Sequence, residues 1–419
     1  MRSFFGVLVV VGSMAVLGCQ TSDDVSGYEA ALRQASTCGD VLEAIQEDEI
    51  AKVELELELF VDQDSYYRWG EPVAGEGGSG GTGGGELPGA PTNDGASGDQ
   101  DAPSGFSDTN RQVADVDEAD IVKVGDEGRK LYVIRGNRFY EFDSWPAEDT
   151  EMASDLEIEG SPIEMFVDGD RAVVFSSVYG VEELDDGDLC QGYGYGPEPG
   201  LAEFDEYYYC GRSYVKISVI DLSAESYEVV RELYVDGWYT SSRRHDDIVR
   251  AIIQTNMQRP ATIPNFYEVV YDGDFPQSRT EQIARAQAWA DAAKRAILAT
   301  TLDQWLPVWG ERIDGELEER PFECADFYSP APGLTNYGLS QIVGIDVRDA
   351  SDTAMTSILG QATHVYSNAD AMILAQPDWA WHERGTNTDR TALHRFAVSS
   401  DGNRTPYQGS GFVPGVVNN

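Results

Sequence analysis

The sequence predicts an all-β fold, a β-propeller of four-stranded blades, and three observations predict it. A hairpin unit recurs along the chain. A strand closed by aspartate follows each copy. The extra residues between copies fall at one place in the unit. Ile121-Val122-Lys123-Val124 and Ile163-Glu164-Met165-Phe166 open equivalent strands 42 positions apart. After Gly160, Ile163 to Val167 lead through Asp168-Gly169-Asp170 into Ala172-Val173-Val174. After Gly360, Thr363 to Ser367 lead through Asn368-Ala369-Asp370 into Ala371 to Leu374. After Gly237, Asp246-Asp247 precede Ile248 to Ile253. Short strand, Asp/Asn/Gly turn and second apolar strand make a hairpin signal.

The later strands recur as well. Phe139 to Asp143, Ile217 to Asp221 and Ile342 to Asp346 are strands ending in aspartate, and His394 to Val398 is a weaker fourth copy. A further strand follows in several copies, as in Tyr227 to Leu233. Four short strands in about 42 residues is the length of a propeller blade. One such sheet cannot bury both faces alone, and stacking blades about an axis covers them while leaving only short edges. Four units are counted.

The spacing from Gly160 to Gly237 is 77 and from Gly237 to Gly360 is 123, and both excesses fall between the second and third strands. The insertions are placed at about 179–213 and 258–338. The second contains a helix, because Ile283, Ala286, Ala290, Ala293 and Ile297 make an apolar stripe. Ser278 and Glu281 resemble a capping box at its start. Insertions confined to one loop position decorate a single face of the propeller.

The remaining divisions run from the N-terminus. Residues 1–18 read as a signal peptide, with Arg2 as the positive region and an apolar run from Phe4 to Leu17 too short to span a bilayer comfortably. The run ends in Val16-Leu17-Gly18-Cys19, which resembles a bacterial lipobox and nominates Cys19 for lipidation. The chain is therefore expected in the cell envelope, held to the membrane through a lipid anchor and facing the periplasm or the cell surface. Residues 19–70 form an N-terminal segment. Within it Gly39 to Asp48 reads as a short helix, and Val53 to Leu59 reads either as a half-buried strand, by its period of two, or as an acidic helix. Residues 71–110 are a Gly/Pro/Asp-rich linker. The propeller takes 111–419.

Composition narrows the function. The net charge of −45, from 29 basic and 74 acidic residues, excludes nucleic acid as a partner, since phosphate binding needs clustered Lys and Arg. Setting Cys19 aside leaves four cysteines, and an even number in an exported chain favours disulfides with three pairings open. Cys190 and Cys210 bracket one aromatic, glycine-rich loop and are paired on that ground, which leaves Cys38 with Cys324.

A resemblance adds to this. Gln112 to Lys123, with its Asp-Glu-Ala-Asp-Ile-Val-Lys string, followed by Leu131-Tyr132-Val133-Ile134, resembles the opening of a family of secreted prokaryotic proteins with a predicted C-terminal β-propeller domain. The likeness continues through Trp305-Leu306-Pro307 and Ser410 to Gly415, covering roughly Arg111 to Asn419. It implies a propeller fold and carries no activity, ligand or catalytic residue with it. Members of the family usually continue with more blades, so this chain is expected to be a truncated member with four units in view.

Candidate chemistry is sparse. Asp115, Asp117, Glu118 and Asp120 are an acidic cluster of the kind that holds Ca²⁺ through carboxylate oxygens, although no EF-hand loop fits. The turn acids Asp168, Asp170, Asp247 and Asp370 read as turn formers. His245, His364, His382 and His394 lie in repeat positions or loops, and no G-x-S-x-G elbow or P-loop occurs. Tyr193, Tyr195, Tyr207 and Tyr208 in the first insertion, with Trp379 and Trp381 in the equivalent loop of the fourth unit, suit recognition of an envelope protein or a glycan. The expected role is an envelope binding or scaffold module; the alternative is a metal-dependent hydrolase with acidic residues at the propeller mouth.

Overall fold

The computed structural model describes residues 31–62, 116–184, 212–223, 226–271, 278–313, 315–330, 338–348, 353–377, 390–400 and 402–417. Within them four antiparallel sheets follow one another along the chain. The first blade is Val122–Gly125, Lys130–Arg135, Arg138–Asp143 and Glu151–Glu157. The second is Ser161–Asp168, Arg171–Tyr179, Ser213–Asp221 and Glu228–Asp236. The third is Trp238–His245, Ile248–Asn256, Gly338–Asp346 and Thr353–Leu359, and the fourth is His364–Ser367, Ala371–Pro377, Arg390–Ala397 and Tyr407–Pro414. The strands closed by aspartate in the sequence are the third strands of their blades.

Alternation along the strands explains the stacking. In Arg171–Tyr179, Ala172 and Val174 join Tyr132, Ile134 and Phe139 of the first blade in one core. Their neighbours Val173 and Phe175 point the other way and join Val249, Ala251 and Ile253 of the third blade. In the third blade, Ala251 and Val343 are cross-strand partners facing the second blade. The adjacent pair Ile252 and Ile342 faces Met372, Leu374 and Phe396 of the fourth. A strand of period two thus serves two interfaces at once.

The chain passes from one blade to the next through a glycine. Gly160, Gly237 and Gly360 have φ of +81°, +127° and +131°. A Cβ at Gly160 or Gly237 would meet the backbone carbonyl of Ser177 or Gln254, on the second strand of the next blade, and one at Gly360 would meet the Gln376 side chain in the corresponding place. Both the dihedral and the close approach require glycine.

Two sheets are larger than four strands. The insertion of the third blade leaves after Asn256 and adds the hairpin Trp309–Ile313/Glu316–Glu319 to the outer edge of the second blade. It then adds Phe327–Ser329, parallel, to the outer edge of its own blade. Arg33–Gln34 pairs onto that strand in turn. Exposed sheet edges are templates for unwanted pairing, and these additions cover two of them.

In the described part of the N-terminal segment the Arg33–Gln34 strand is followed by one helix, α1 (Cys38–Val61), so the helical reading of Val53 to Leu59 is the one the fold takes. Val53 and Phe60 are buried and Leu57 is half-buried, a helical spacing that the Glu-Leu alternation masks. The Thr37 hydroxyl accepts from Asp40 N, while the Asp40 carboxylate accepts from the amides of Ser36 and Thr37. Two further helices, α2 (Phe266–Tyr271) and α3 (Arg279–Ile297), belong to the insertion. Ala286, Ala290, Ala293 and Ile297 are buried against α1, joined by Trp289 and Trp305. Cys38 is bonded to Cys324. The N-terminal helix is therefore part of the insertion's core rather than a free appendage. Among the described residues, no helix is long and apolar enough to cross a membrane.

Candidate binding face and axial ion-pair network

The strand order gives the blades two chemically different ends. First-to-second and third-to-fourth turns lie at one end, and second-to-third connections and blade-to-blade passages lie at the other. The turn end is built by short polar turns. Asn368 Oδ1 accepts from the amides of Asp370 and Ala371, Asp221 Oδ1 from Ser223 N, and Asp346 Oδ1 from Arg348 N. These local bonds are why Asp and Asn recur there.

At this end, acids from successive blades converge on one arginine. Arg348, in the third-to-fourth turn of the third blade, donates to Asp247 Oδ1 at 2.7 Å and Asp170 Oδ1 at 2.7 Å, and its Nη2 lies 3.2 Å from Asp168 Oδ2. Those bonds to Asp170 and Asp247 hold the guanidinium above its ordinary pKa, and the same bond holds the Asp170 carboxyl below its own. The turn acids of the second and third blades are thus a clamp closed by a cation. Asp370, in the fourth blade, does not join them.

The segment before the first blade crosses the inner edges of its successors. Asp117–Glu118 pairs antiparallel with Arg243 and Arg244 in the first strand of the third blade. Asp120 exchanges both backbone bonds with Met165 in the first strand of the second, at 2.9 and 3.1 Å. Side chains then lock the strap. Asp117 takes Lys123 Nζ at 2.9 Å and Arg244 Nε at 3.2 Å, and Glu118 takes Arg243 at 3.5 Å. Arg244 continues to Asp168 at 3.1 Å, which connects strap and clamp. Lys123 also donates to the Glu118 carbonyl and is only 4% exposed.

Within the described part of this cluster the carboxylates are engaged by cations and amides. Asp117 and Glu118 already face three cationic side chains, and Asp120 Oδ1 accepts from the Ile121 amide. Among the described residues no three His, Cys, Asp or Glu converge as a metal set. Asp115 lies outside the described residues. The arginines that partner this segment are more than a hundred residues further on, so its chemistry has no local signal.

Each of the three histidines among the described residues lies against a polar partner. His245 Nε2 lies 3.0 Å from the Asn368 carbonyl, His394 Nδ1 lies 2.7 Å from Ser410 Oγ, and His364 Nδ1 lies 2.9 Å from Thr363 Oγ1. Burial pushes His394 down to about 4. Nearby, Arg250 is fully buried and donates to Thr405 Oγ1 and to the carbonyls of Ser399 and Gly402, fastening the third blade to the fourth. Burial lowers its pKa to about 10.

The opposite end carries the connections. The first insertion leaves after Tyr179 and returns at Ser213, and the connection in the fourth blade leaves after Pro377 and returns at Arg390. Tyr179 and Trp238 are 60% and 43% exposed at this end, and Tyr267 of α2 is 68% exposed. Beside them Lys216 bridges Glu159 at 2.8 Å and Glu232, Tyr234 donates to Glu159 at 2.6 Å, and Arg312 Nε reaches Glu232 at 2.8 Å. This group welds the added hairpin to the second blade. Burial alone would lower Lys216, and its two carboxylate partners override it to hold the ammonium above its usual pKa. Cys190, Cys210, Tyr193, Tyr195, Tyr207, Tyr208, Trp379, Trp381, His382 and Cys19 all lie outside the described residues.

A family model for the beta propeller domain matches residues 106–419. No curated protein matches the chain. Among solved structures, the orthorhombic crystal form of the Pyrococcus horikoshii acylaminoacyl peptidase aligns at 12% identity and a TM-score of 0.25. The alignment covers 70% of this chain and 44% of that one, so the chain spans less than half of that protein's length.

Proposed function

Because the chain belongs to the beta propeller domain family across residues 106–419, we propose that it is an exported, lipid-anchored recognition or scaffold module of the cell envelope. The observation that carries this reading is the division between its two ends. Carboxylates at the turn end are engaged by Arg348, Arg244, Arg171 and their neighbours, whereas exposed Tyr179, Trp238 and Tyr267 stand with the insertions at the other. Aromatic side chains offer large contact area with a polar handle, which suits a protein or glycan partner. The leader ending in Gly18-Cys19 supports anchoring at the N-terminus.

Two experiments test the proposal. Cys19→Ser followed by cell fractionation should release the protein from the membrane fraction; unchanged retention contradicts the anchor. The immobilised protein should retain an envelope protein or glycan without converting it, before and after chelation. Turnover that chelation abolishes would favour a metal-dependent hydrolase instead.

A further inference from the structure

The joint between the third and fourth blades holds a hydrogen-bond relay that ends on a serine. The outermost strand of the fourth blade, Tyr407–Pro414, pairs with Arg390–Ala397, and Ser410 stands directly opposite His394. In a regular strand, residues three apart face opposite sides of the sheet. Here the register shifts between Arg395 and Phe396, Gln408 is left without a cross-strand partner, and Tyr407 and Ser410 come to one face. Bulges of this kind re-aim side chains and are over-represented beside active sites. Tyr407 packs against the core between the third and fourth blades, and its hydroxyl lies 2.6 Å from Ser410 Oγ.

The donors in the relay run one way. The Leu32 amide, which can only donate, gives a hydrogen bond of 3.0 Å to the Tyr407 hydroxyl. The tyrosine proton is then directed at Ser410 Oγ, and the serine proton at His394 Nδ1, 2.7 Å away. On the far side of the ring, Nε2 lies 3.3 Å from Gln376 Oε1. That oxygen is an acceptor, so Nε2 carries the ring proton and Nδ1 turns its lone pair to the serine. Ser410 is half-buried, and His394 is 2% exposed. Burial keeps the ring neutral at neutral pH, so Nδ1 stays an acceptor there. A hydroxyl within hydrogen-bond reach of a base, with the base oriented by a third group, is the arrangement that activates a nucleophile.

We propose that Ser410 is a nucleophile with His394 as its general base, and that it takes the acyl group of an activated ester. A bond forms between Ser410 Oγ and the carbonyl carbon, and the bond from that carbon to the alcohol oxygen breaks. The serine proton passes to His394 Nδ1 and from there to the departing oxygen. The products are the acylated serine and the free alcohol. With its conjugate acid at about 4, His394 is a weak base. An ester with a good leaving group matches that strength, and an amide does not.

Incubation of the purified full chain with p-nitrophenyl acetate, followed by peptide mass spectrometry, tests this. The acetyl group should appear on Ser410 of the folded protein, and not on Ser410 of a chain unfolded in guanidinium before the ester is added. His394→Gln keeps a hydrogen-bonding side chain and removes the base. It should slow acetylation of Ser410 at least about a hundredfold while circular dichroism stays unchanged. Should that variant fail to fold, the folded and unfolded states of the unsubstituted chain still decide. An unmodified Ser410 in the folded protein, equal labelling of the unfolded chain, or an unaltered rate in folded His394→Gln would each overturn the proposal and leave the relay a purely structural one.

Discussion

Asp117 Oδ1 lies 2.9 Å from Lys123 Nζ, and both residues are more than nine-tenths buried. The other oxygen of the same carboxylate faces Arg244. One aspartate thus ties the first strand of the first blade to the first strand of the third, and the strap is a structural device at the inner edges of the blades.

Asp117→Asn should therefore be costly. It leaves a buried ammonium without its carboxylate, and breaking such a pair typically costs about 3–5 kcal/mol. The expected result is a melting point lower by several degrees. Lys123→Met combined with Asp117→Asn should recover part of that loss. A double-mutant cycle on thermal unfolding measures the coupling, and additive losses would contradict it.

Arg348 is a contrasting case, because its guanidinium is 42% exposed. Exposed pairs contribute roughly 0–1 kcal/mol each and are screened by salt. Arg348→Ala should lower stability by no more than about 3 kcal/mol for its three pairs, with the loss shrinking at about 1 M salt. A loss unchanged by salt would mean the clamp works through packing.

The passage glycines give a sharper comparison. Gly237→Ala meets both a positive φ and the Gln254 carbonyl, whereas Gly315→Ala meets a φ of +86° with nothing within 4 Å. Backbone strain alone costs on the order of 1–3 kcal/mol. Gly315→Ala should stay in that range, and Gly237→Ala should exceed it or prevent folding. Chemical denaturation of the two variants decides.

Much of this architecture is readable from residue order, and the physical reason is periodicity. Strands such as Arg171–Tyr179 alternate because each serves two cores, and their aspartates recur because turns use them. The helix α1 is only half readable, since Val53 to Leu59 satisfies both periods locally and the contacts of Val53 and Phe60 with the insertion decide. The strap is less readable still. Its acids stand out in the sequence, but Arg244 is 127 residues from Asp117, so the ion pair between them has no local signal. Trp289 and Trp305 anchor the helical core, and Trp289 falls on the α3 stripe at Ala286 plus three.

Acid should loosen the joint between the third and fourth blades. Burial holds His394 at about 4, below the ordinary value of 6.5, so the folded state favours the neutral ring. Its contribution is fully present above pH 6.5 and falls as pH drops toward 4, because only the unfolded chain takes up the proton in that window. The slope should approach about 1.4 kcal/mol per pH unit. His394→Gln should flatten the stability profile between those limits; an unchanged slope would assign it to other groups.

Cys38–Cys324 closes a separation of 286 residues, and constraining the unfolded chain over so long a loop stabilises the fold by on the order of 5 kcal/mol, which reduction removes. Reduction should free α1 for proteolysis while the blades persist. Limited proteolysis with and without reductant measures this, and protection of α1 after reduction would show that its apolar contacts suffice.

The proposed recognition surface lies at the insertion end. Photo-crosslinking amino acids placed one at a time at Tyr179, Trp238 and Tyr267, and at Arg348 and Asp370 on the turn end, test it in intact cells. Discrete crosslinked species are expected from the first three positions and none from the last two. Crosslinks confined to Arg348 and Asp370 would contradict it.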